Sequence, residues 1–372
     1  MPAIYLDHAA TTPLDRRVAR AMAKVWGNPA SRLHARGRAA AAAVETARAQ
    51  VAALLGAAAD EISFTSGTTE SVNLALRGSR PERLVTVATE HACVLETAAA
   101  LAAQSCTVTI LPVDRDGRLD PADLERSLRR GRALVSVMAV NNETGVVQDL
   151  AEIGRICARH GAVLHVDAAQ APGRIGLDVQ AMGIDLLSLG AHKMGGPCGI
   201  GALYHRRGLQ LTPLLTGGGQ EQGLRPGTVP AALAAGMGRA ALLARRDLLR
   251  ESQRLAYLAG RFLARLRAGL GEVRLLAEAA PRSPHILALE LPGTAAIDLI
   301  DALPEIALGS GAACGSGRSG PSPVLTAMGL DAARAADVIR VSLGRTTTEE
   351  ELDEAAARIT AAALSLKAVR PA

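Results

Sequence analysis

The sequence predicts an α/β protein in which a large unit, built on a mainly parallel seven-stranded sheet, is followed by a smaller α/β unit. Three observations lead there. Short β-rich runs alternate with helical segments through residues 60–205, the pattern of a parallel sheet flanked by helices. One long helical segment, about 231–268, leads out of that region as a bridge. At 372 residues the chain is longer than one ordinary domain and short for three.

The elements follow in order. A helix is expected over about 15–26, before the turn Gly27-Asn28-Pro29. An alanine-rich helix over about 35–55 should end at Gly56, a suitable C-cap. Strands are expected at 62–64, 84–87, 108–110, 133–138, 163–166, 186–189 and 200–204. Beyond the bridge, β-rich runs at 285–291, 306–308 and 338–343 interleave with helices to make the smaller unit.

Composition narrows the function. No apolar run approaches the ~18–20 residues needed to span a bilayer, and the first eight residues lack the basic-then-apolar layout of a secretory signal. A cytoplasmic protein is expected. The net charge of +5 is small for this length, the basic residues are dispersed and aromatics are scarce, so nucleic acid is not an expected partner. The five cysteines, Cys93, Cys106, Cys157, Cys198 and Cys314, are few and widely spaced, which suits free thiols better than disulfides or a zinc site. Only three of the 41 basic residues are lysines: Lys24, Lys193 and Lys367. Arginine cannot form an imine, and lysine can. Lys24 and Lys367 belong to a surface helix and the C-terminal tail; Lys193 does not.

Several segments carry chemistry. Thr65-Ser66-Gly67-Thr68-Thr69-Glu70 follows a strand and opens a helix, offering backbone N–H groups and hydroxyls to a single phosphate; an ordinary N-cap turn explains it equally well. A Gly-x-Gly-x-x-Gly at Gly315, Gly317 and Gly320 leaves too little chain behind it for a dinucleotide-binding unit. Asp167, at the C-terminal end of a strand, is placed to keep a pyridine nitrogen protonated, with Gln170 within reach of a phenolic oxygen. His165 and Asp167 share a strand face, but no third metal ligand stands near them. Lys193 ends a strand and is followed by Gly195 and Gly196, which puts a flexible amine at the same edge. With so few aromatics, His91 is the candidate for stacking on a ring.

Taken together, these segments resemble the cysteine desulfurase family, among the class V aminotransferase-like, fold-type I pyridoxal-phosphate enzymes. The resemblance runs in register along nearly the whole chain: Tyr5-Leu-Asp-His-Ala-Ala-Thr-Thr-Pro13, Gly27-Asn-Pro-Ala-Ser31, Phe64-Thr-Ser-Gly-Thr-Thr-Glu70, Thr89-Glu-His91, Asn141-Asn-Glu-Thr-Gly145 and Val166-Asp-Ala-Ala-Gln170. It continues through Ala191-His-Lys193, Gly217-Gly-Gly-Gln-Glu221, Arg225-Pro-Gly-Thr228, Ser310-Gly-Ala-Ala-Cys314 and Ile339-Arg-Val-Ser-Leu-Gly344.

The resemblance implies a large cofactor-binding domain over 12–250 and a small domain of 1–11 with 251–372, carrying a cysteine loop at about 309–322. It implies pyridoxal 5'-phosphate joined to Lys193 as an imine, with Lys193 also moving the substrate's α-proton. Asp167 would meet the pyridine nitrogen, Gln170 the phenolic oxygen, and His91 the ring face. Thr68, Thr69 and His192 would hold the phosphate, helped by Thr228 of the partner subunit in a homodimer. Asn142 and Arg340 would bind the carboxylate of L-cysteine, Arg340 as a fork. Cys314 would take the sulfur as a persulfide and pass it to an acceptor protein, as in iron–sulfur cluster assembly or tRNA thiolation. Another reaction on the same cofactor, such as selenocysteine lysis or transamination, and a non-catalytic assembly role are the alternatives.

Three positions depart from the family. Gly190 stands where a serine often offers the phosphate a hydroxyl, Cys198 stands where the family has a second lysine, and the loop around Cys314 is richer in glycine and carries Arg318.

Overall fold

The computed structural model describes residues 4–310 and 320–369. The chain enters through β1 (Ile4–Tyr5), α1 (Arg16–Met22) and α2 (Ala35–Leu55). Alanine-rich sequence favours α2, and Gly56 ends it with a left-handed φ of 71°, which only glycine adopts cheaply. Next come β2 (Ile62–Thr65), α3 (Thr68–Gly78), β3 (Arg83–Val87), α4 (Ala92–Ala102), β4 (Thr107–Leu111), α5 (Pro121–Leu128) and β5 (Leu134–Met138). They are followed by α6 (Leu150–Arg159), β6 (Val163–Asp167), β7 (Leu186–Gly190) and β8 (Gly201–His205).

The seven strands β2–β8 form one sheet, in the order β2-β8-β7-β6-β5-β3-β4. β4, β3, β5, β6 and β7 run parallel, and β8 lies antiparallel to both β7 and β2. Two antiparallel steps bring β2 back into the direction of β7. The carboxyl ends of β2, β3, β5, β6 and β7 therefore share one edge, where open α/β sheets place their ligands. The inner strands are buried along their length, which is why they read as unbroken apolar runs.

Helix α7 (Ala231–Leu270) leaves this sheet for a second one. Its first half packs Ala234, Met237 and Ala241 into the core of the large sheet, and its second half packs Leu255, Leu258 and Phe262 into a separate core. Gly238 lets it lie against α2, since a Cβ there would stand 2.5 Å from Ala47 Cα. The later elements are β9 (Arg274–Leu275), β10 (Ile286–Glu290), α8 (Ala296–Asp301), β11 (Ile306–Ala307), β12 (Gly309–Ser310), α9 (Pro323–Ala327), α10 (Ala332–Ala336), β13 (Val338–Ser342) and α11 (Glu349–Val369). The second sheet is antiparallel, in the order β12-β13-β10-β9. Strand β11 stays out of it and pairs in parallel with β1, tying the N-terminus to the C-terminal half. No helix among the described residues is long and apolar enough to cross a membrane.

Candidate active site

A cavity of about 640 Å³ opens at the shared carboxyl edge of the large sheet. Each strand end delivers a different group to it. After β2 the chain turns through Gly67 into α3, presenting Thr68 and Thr69. After β3, His91 caps α4, its Nδ1 accepting from Cys93 N at 3.1 Å, so the neutral ring carries its proton on Nε2. After β5 comes Asn142, at the end of β6 Asp167 followed by Gln170, and after β7 His192 and Lys193. Lys193 sits on a 3-10 turn, Ala191–Met194, three residues beyond the strand it was expected to end. Arg340 reaches the same cavity from β13, and Ala9 and Ala10 close it from the N-terminal segment.

Two buried acids lie side by side, and one of them, Asp167, neighbours an amine. Lys193 Nζ donates to Ala10 O at 2.7 Å and to Ala9 O at 2.5 Å. Burial, reinforced by the nearby Arg340 guanidinium, brings its pKa down to about 8, against the opposing pull of Asp167 and Asp7. Asp167 is 2% exposed. Burial raises its pKa, while the Ala169 N–H, 2.9 Å from Oδ1, and the neighbouring His91 and Lys193 hold it down. Glu90 lies beside it, with Oε1 accepting from Met138 N and Oε2 buried without a partner among the described residues. Burial, and then Asp167, push Glu90 well above the usual carboxylate range. Burial thus disfavours the charged form of both acids, more strongly at Glu90, while the nearby amine favours the anion at Asp167.

The phosphate side consists of free donors. Gly67 caps α3 without a side-chain hydrogen bond, so the first N–H groups of that helix point into the cavity unsatisfied by a cap. Thr68 Oγ1 is buried with no hydrogen-bond partner among the described residues. His192 Nδ1 stands 3.2 Å from Thr11 Oγ1, and burial brings its pKa down to about 4; with the Thr11 hydroxyl donating, the neutral ring offers Nε2–H as a further donor. The loop is seated by glycines: a Cβ on Gly201 would lie 2.6 Å from Gly67 C and 2.7 Å from Leu189 O.

On the opposite side, Arg340 Nη1 donates to Asn142 O at 3.1 Å and Nη2 to Asp7 Oδ1 at 2.7 Å. Arg340 Nε and Asn142 Oδ1 are buried and have no partner among the described residues. The arginine fork expected to be open is therefore half engaged by Asp7. Cys314 and Arg318 lie outside the described residues. The chain on either side of that segment is placed: Gly309 pairs with Arg340 across β12 and β13, and Ser322 Oγ donates to Glu143 Oε2 at 2.5 Å, next to Asn142.

Thr228 is not brought into this cavity. It lines a different one of about 630 Å³, beside the buried ion pair of Arg48 with Glu221. His165 is no metal ligand here: its ring bridges Ser136 Oγ at 2.8 Å and Ser188 Oγ at 2.9 Å inside the sheet. No cluster of three metal-ligating side chains occurs among the described residues. Sequence reasoning missed Glu90, Asp7 and His285, whose Nε2 lies 3.3 Å from Gln170 Oε1. Glu90 and Asp7 stand in motifs already singled out and His285 opens an expected strand, yet no local pattern marks their contacts. Cys198 is exposed and lines the cavity where a second lysine was absent.

Pyridoxal phosphate fits this donor set. The volume lies in the range of small-ligand sites, an amine of lowered pKa faces a buried carboxylate, and an unsatisfied helix start with an orphaned hydroxyl awaits an anion.

Comparisons with known proteins identify the family. Residues 4–354 match the family model for aminotransferase class-V. The cysteine desulfurase of Rattus norvegicus is 45% identical over 362 residues, covering 94% of this chain and 80% of the rat protein. Among solved structures, a NifS-like protein superposes with a TM-score of 0.89 at 33% identity, covering 96% of this chain and 98% of that one. SspA in complex with cysteine gives a TM-score of 0.77 at 32% identity, covering 91% of this chain and 98% of the other. The chain belongs to the aminotransferase class-V family, in its cysteine desulfurase branch.

Proposed function

We propose that this chain takes the sulfur of L-cysteine onto Cys314 and releases L-alanine, using pyridoxal phosphate held in the cavity above the large sheet. The observation that carries the reading is the convergence of Thr68, Thr69, His91, Asn142, Asp167, Gln170, His192, Lys193 and Arg340 on that single cavity. The family is pyridoxal-phosphate dependent, and one structural relative was solved with cysteine.

Bound there, the cofactor supplies an electron sink for the bond-breaking at the substrate's α-carbon. Lys193 would anchor its aldehyde and then hold the α-proton. Asp167 would keep the pyridine nitrogen protonated, Gln170 would face the phenolic oxygen, and His91 would cover the ring. Thr68, Thr69 and His192 would hold the phosphate, with Thr228 of the partner subunit. Arg340 and Asn142 take the substrate carboxylate, for which Arg340 exchanges its bond to Asp7. The Cys314 thiolate attacks the substrate sulfur: an S–S bond forms, the substrate C–S bond breaks, its electron pair stays on carbon, and protonation there gives alanine. Four residues of chain span at most about 14 Å, and the described end at Ser310 lies beside the strand carrying Arg340, which supports this reach.

The domain division at 12–250, and at 1–11 with 251–372, is supported by the separate apolar cores that the two halves of α7 enter. A homodimer is supported by Leu33, 98% exposed, and Trp26, 64% exposed, next to the cavity that Thr228 lines. The four described cysteines are free thiols, which suits the cytoplasm. An acceptor protein, of iron–sulfur assembly or tRNA thiolation, then removes the sulfur.

The test is mass spectrometry of the holoenzyme after L-cysteine. A gain of ~32 Da on the peptide containing Cys314, one sulfur atom on the nucleophile, is expected. Normal sulfide release by Cys314→Ala would refute the assigned nucleophile.

A further inference from the structure

The wall of the phosphate cradle contains a steric exclusion between two residues far apart in sequence. Gly190 closes β7 with φ −124° and ψ 143°, an ordinary extended conformation open to any residue. The backbone therefore gives no reason for a glycine. The space does: a Cβ built there would stand 2.7 Å from Thr68 Oγ1, closer than carbon and oxygen tolerate, while its next contact, His192 Cδ2 at 3.5 Å, is ordinary. Thr68 is the first residue of α3, and its hydroxyl is buried without a partner among the described residues. A buried hydroxyl left unsatisfied costs free energy unless a ligand completes it.

We propose that Thr68 and Gly190 form one reciprocal unit: the Thr68 hydroxyl is a phosphate donor on this wall, and it can stand there only because position 190 carries no side chain. This rests on the reading that the cavity holds pyridoxal phosphate. The hydroxyl that a serine at 190 would supply from β7 is here supplied from α3, a neighbouring point on the same wall. Any side chain at 190 forces Thr68 to turn about χ1. A β-branched residue has few rotamers to turn to, so the hydroxyl leaves the cradle. Thr68 and residue 190 are then not independent: a hydroxyl from one position excludes a hydroxyl from the other.

The experiment is a double-mutant cycle. Dissociation constants of pyridoxal phosphate and of pyridoxal, which lacks the phosphate, are measured by absorbance and fluorescence on resolved and reconstituted enzyme. The proteins are the parent, Thr68→Ala, Gly190→Ala, Gly190→Ser, Thr68→Ala/Gly190→Ala and Thr68→Ala/Gly190→Ser, with melting temperatures recorded for each. A hydrogen bond to a charged phosphate corresponds to about 10- to 100-fold in affinity. Thr68→Ala and Gly190→Ala should each lose that much for pyridoxal phosphate and almost nothing for pyridoxal, while Gly190→Ser, which trades one hydroxyl for the other, should stay near the parent. In the Thr68→Ala background, Gly190→Ala should cost nothing further, and Gly190→Ser should recover most of the loss.

Additive losses, or a Thr68→Ala/Gly190→Ser protein no better than Thr68→Ala, would overturn the proposal. So would a Thr68→Ala protein that binds as the parent does. In those outcomes a parent that still prefers pyridoxal phosphate over pyridoxal leaves the cofactor reading standing; a parent without that preference removes both. A variant that melts early yet loses both ligands equally reports misfolding of the wall, which the pyridoxal measurement separates from loss of a phosphate donor, and a set of variants behaving only in that way also refutes the proposal.

Discussion

Removing the guanidinium of Arg340 should make Lys193 a poorer nucleophile near neutral pH. The neutral amine is the form that attacks an aldehyde, and Lys193 titrates at about 8 because it is buried and because Arg340 lies near it, with Asp167 and Asp7 pulling the other way. An ordinary lysine titrates near 10.4. At pH 8 the native amine is half neutral, roughly 100-fold more than an ordinary lysine at the same pH. Arg340→Met removes a repelling cation and also frees Asp7, whose Oδ1 is 2.7 Å from Arg340 Nη2. Both changes favour the ammonium ion, so the midpoint must move up; a rise of one unit would cut the neutral fraction at pH 8 about fivefold.

The chain offers its own controls for this measurement, because it contains only three lysines. Apoprotein is acylated briefly across a pH series, and the labelled peptides are quantified by mass spectrometry. Lys24 and Lys367, labelled in the same tubes, report how the reagent itself changes with pH. The labelling of Lys193 should rise through a midpoint near pH 8 in the parent and through a higher one in Arg340→Met. A parent midpoint at pH 10 or above, or an Arg340→Met midpoint that stays or falls, would refute the electrostatic account of this amine.

Two further outcomes concern the scaffold. Arg48 is held by Glu221 through Nη1–Oε2 at 2.7 Å and Nη2–Oε1 at 2.8 Å, and Glu221 Oε2 also accepts from Phe64 N at 2.7 Å; Arg48→Met strands this buried carboxylate and should cost about 3–5 kcal/mol in urea unfolding. His165 and His8 are driven by burial to pKa values of about 3 and about 4, so the unfolded chain binds protons below about pH 6.5 that the folded chain refuses. Their contribution is complete above that pH and is lost as pH falls, at about 1.4 kcal/mol per unit for each ring; urea midpoints should show this slope, and His165→Gln should flatten it by one proton.

Most of the fold was legible because burial on both faces leaves a plain signal. Strands β5 and β7 are apolar runs without alternation, and α2 is filled with alanine and ended by Gly56 in a conformation that needs glycine. The strands that went unread are β1, β9 and β12, each two residues long. Two residues cannot display a period. They are strands only because of what they pair with: Ile4 with Ile306, Leu275 with Leu289, Gly309 with Arg340. Strand β11 was legible as a β-rich run of the smaller unit, but its partner, the N-terminal β1, is set by pairing that no local pattern displays.

The site divides along the same line. Thr68, His91, Asn142, Asp167 and Lys193 were legible because each follows a parallel strand, and the carboxyl ends of such strands meet at one edge whatever the loops between them do. What that logic cannot reach is the state of each group. Nothing near Glu90 in sequence says that it loses water beside Asp167, 77 residues away by number, and so has its pKa driven well up. Arg340 shows the point most fully. Its residue type promises a fork for a carboxylate, and its position in β13 delivers it to the cavity, but Asp7, 333 residues earlier, already holds one arm. In the proposed function, recognition of a substrate carboxylate at this arginine would be an exchange of one carboxylate for another. The site gains from that exchange only if the incoming group also satisfies the buried Arg340 Nε, which Asp7 leaves without a partner among the described residues.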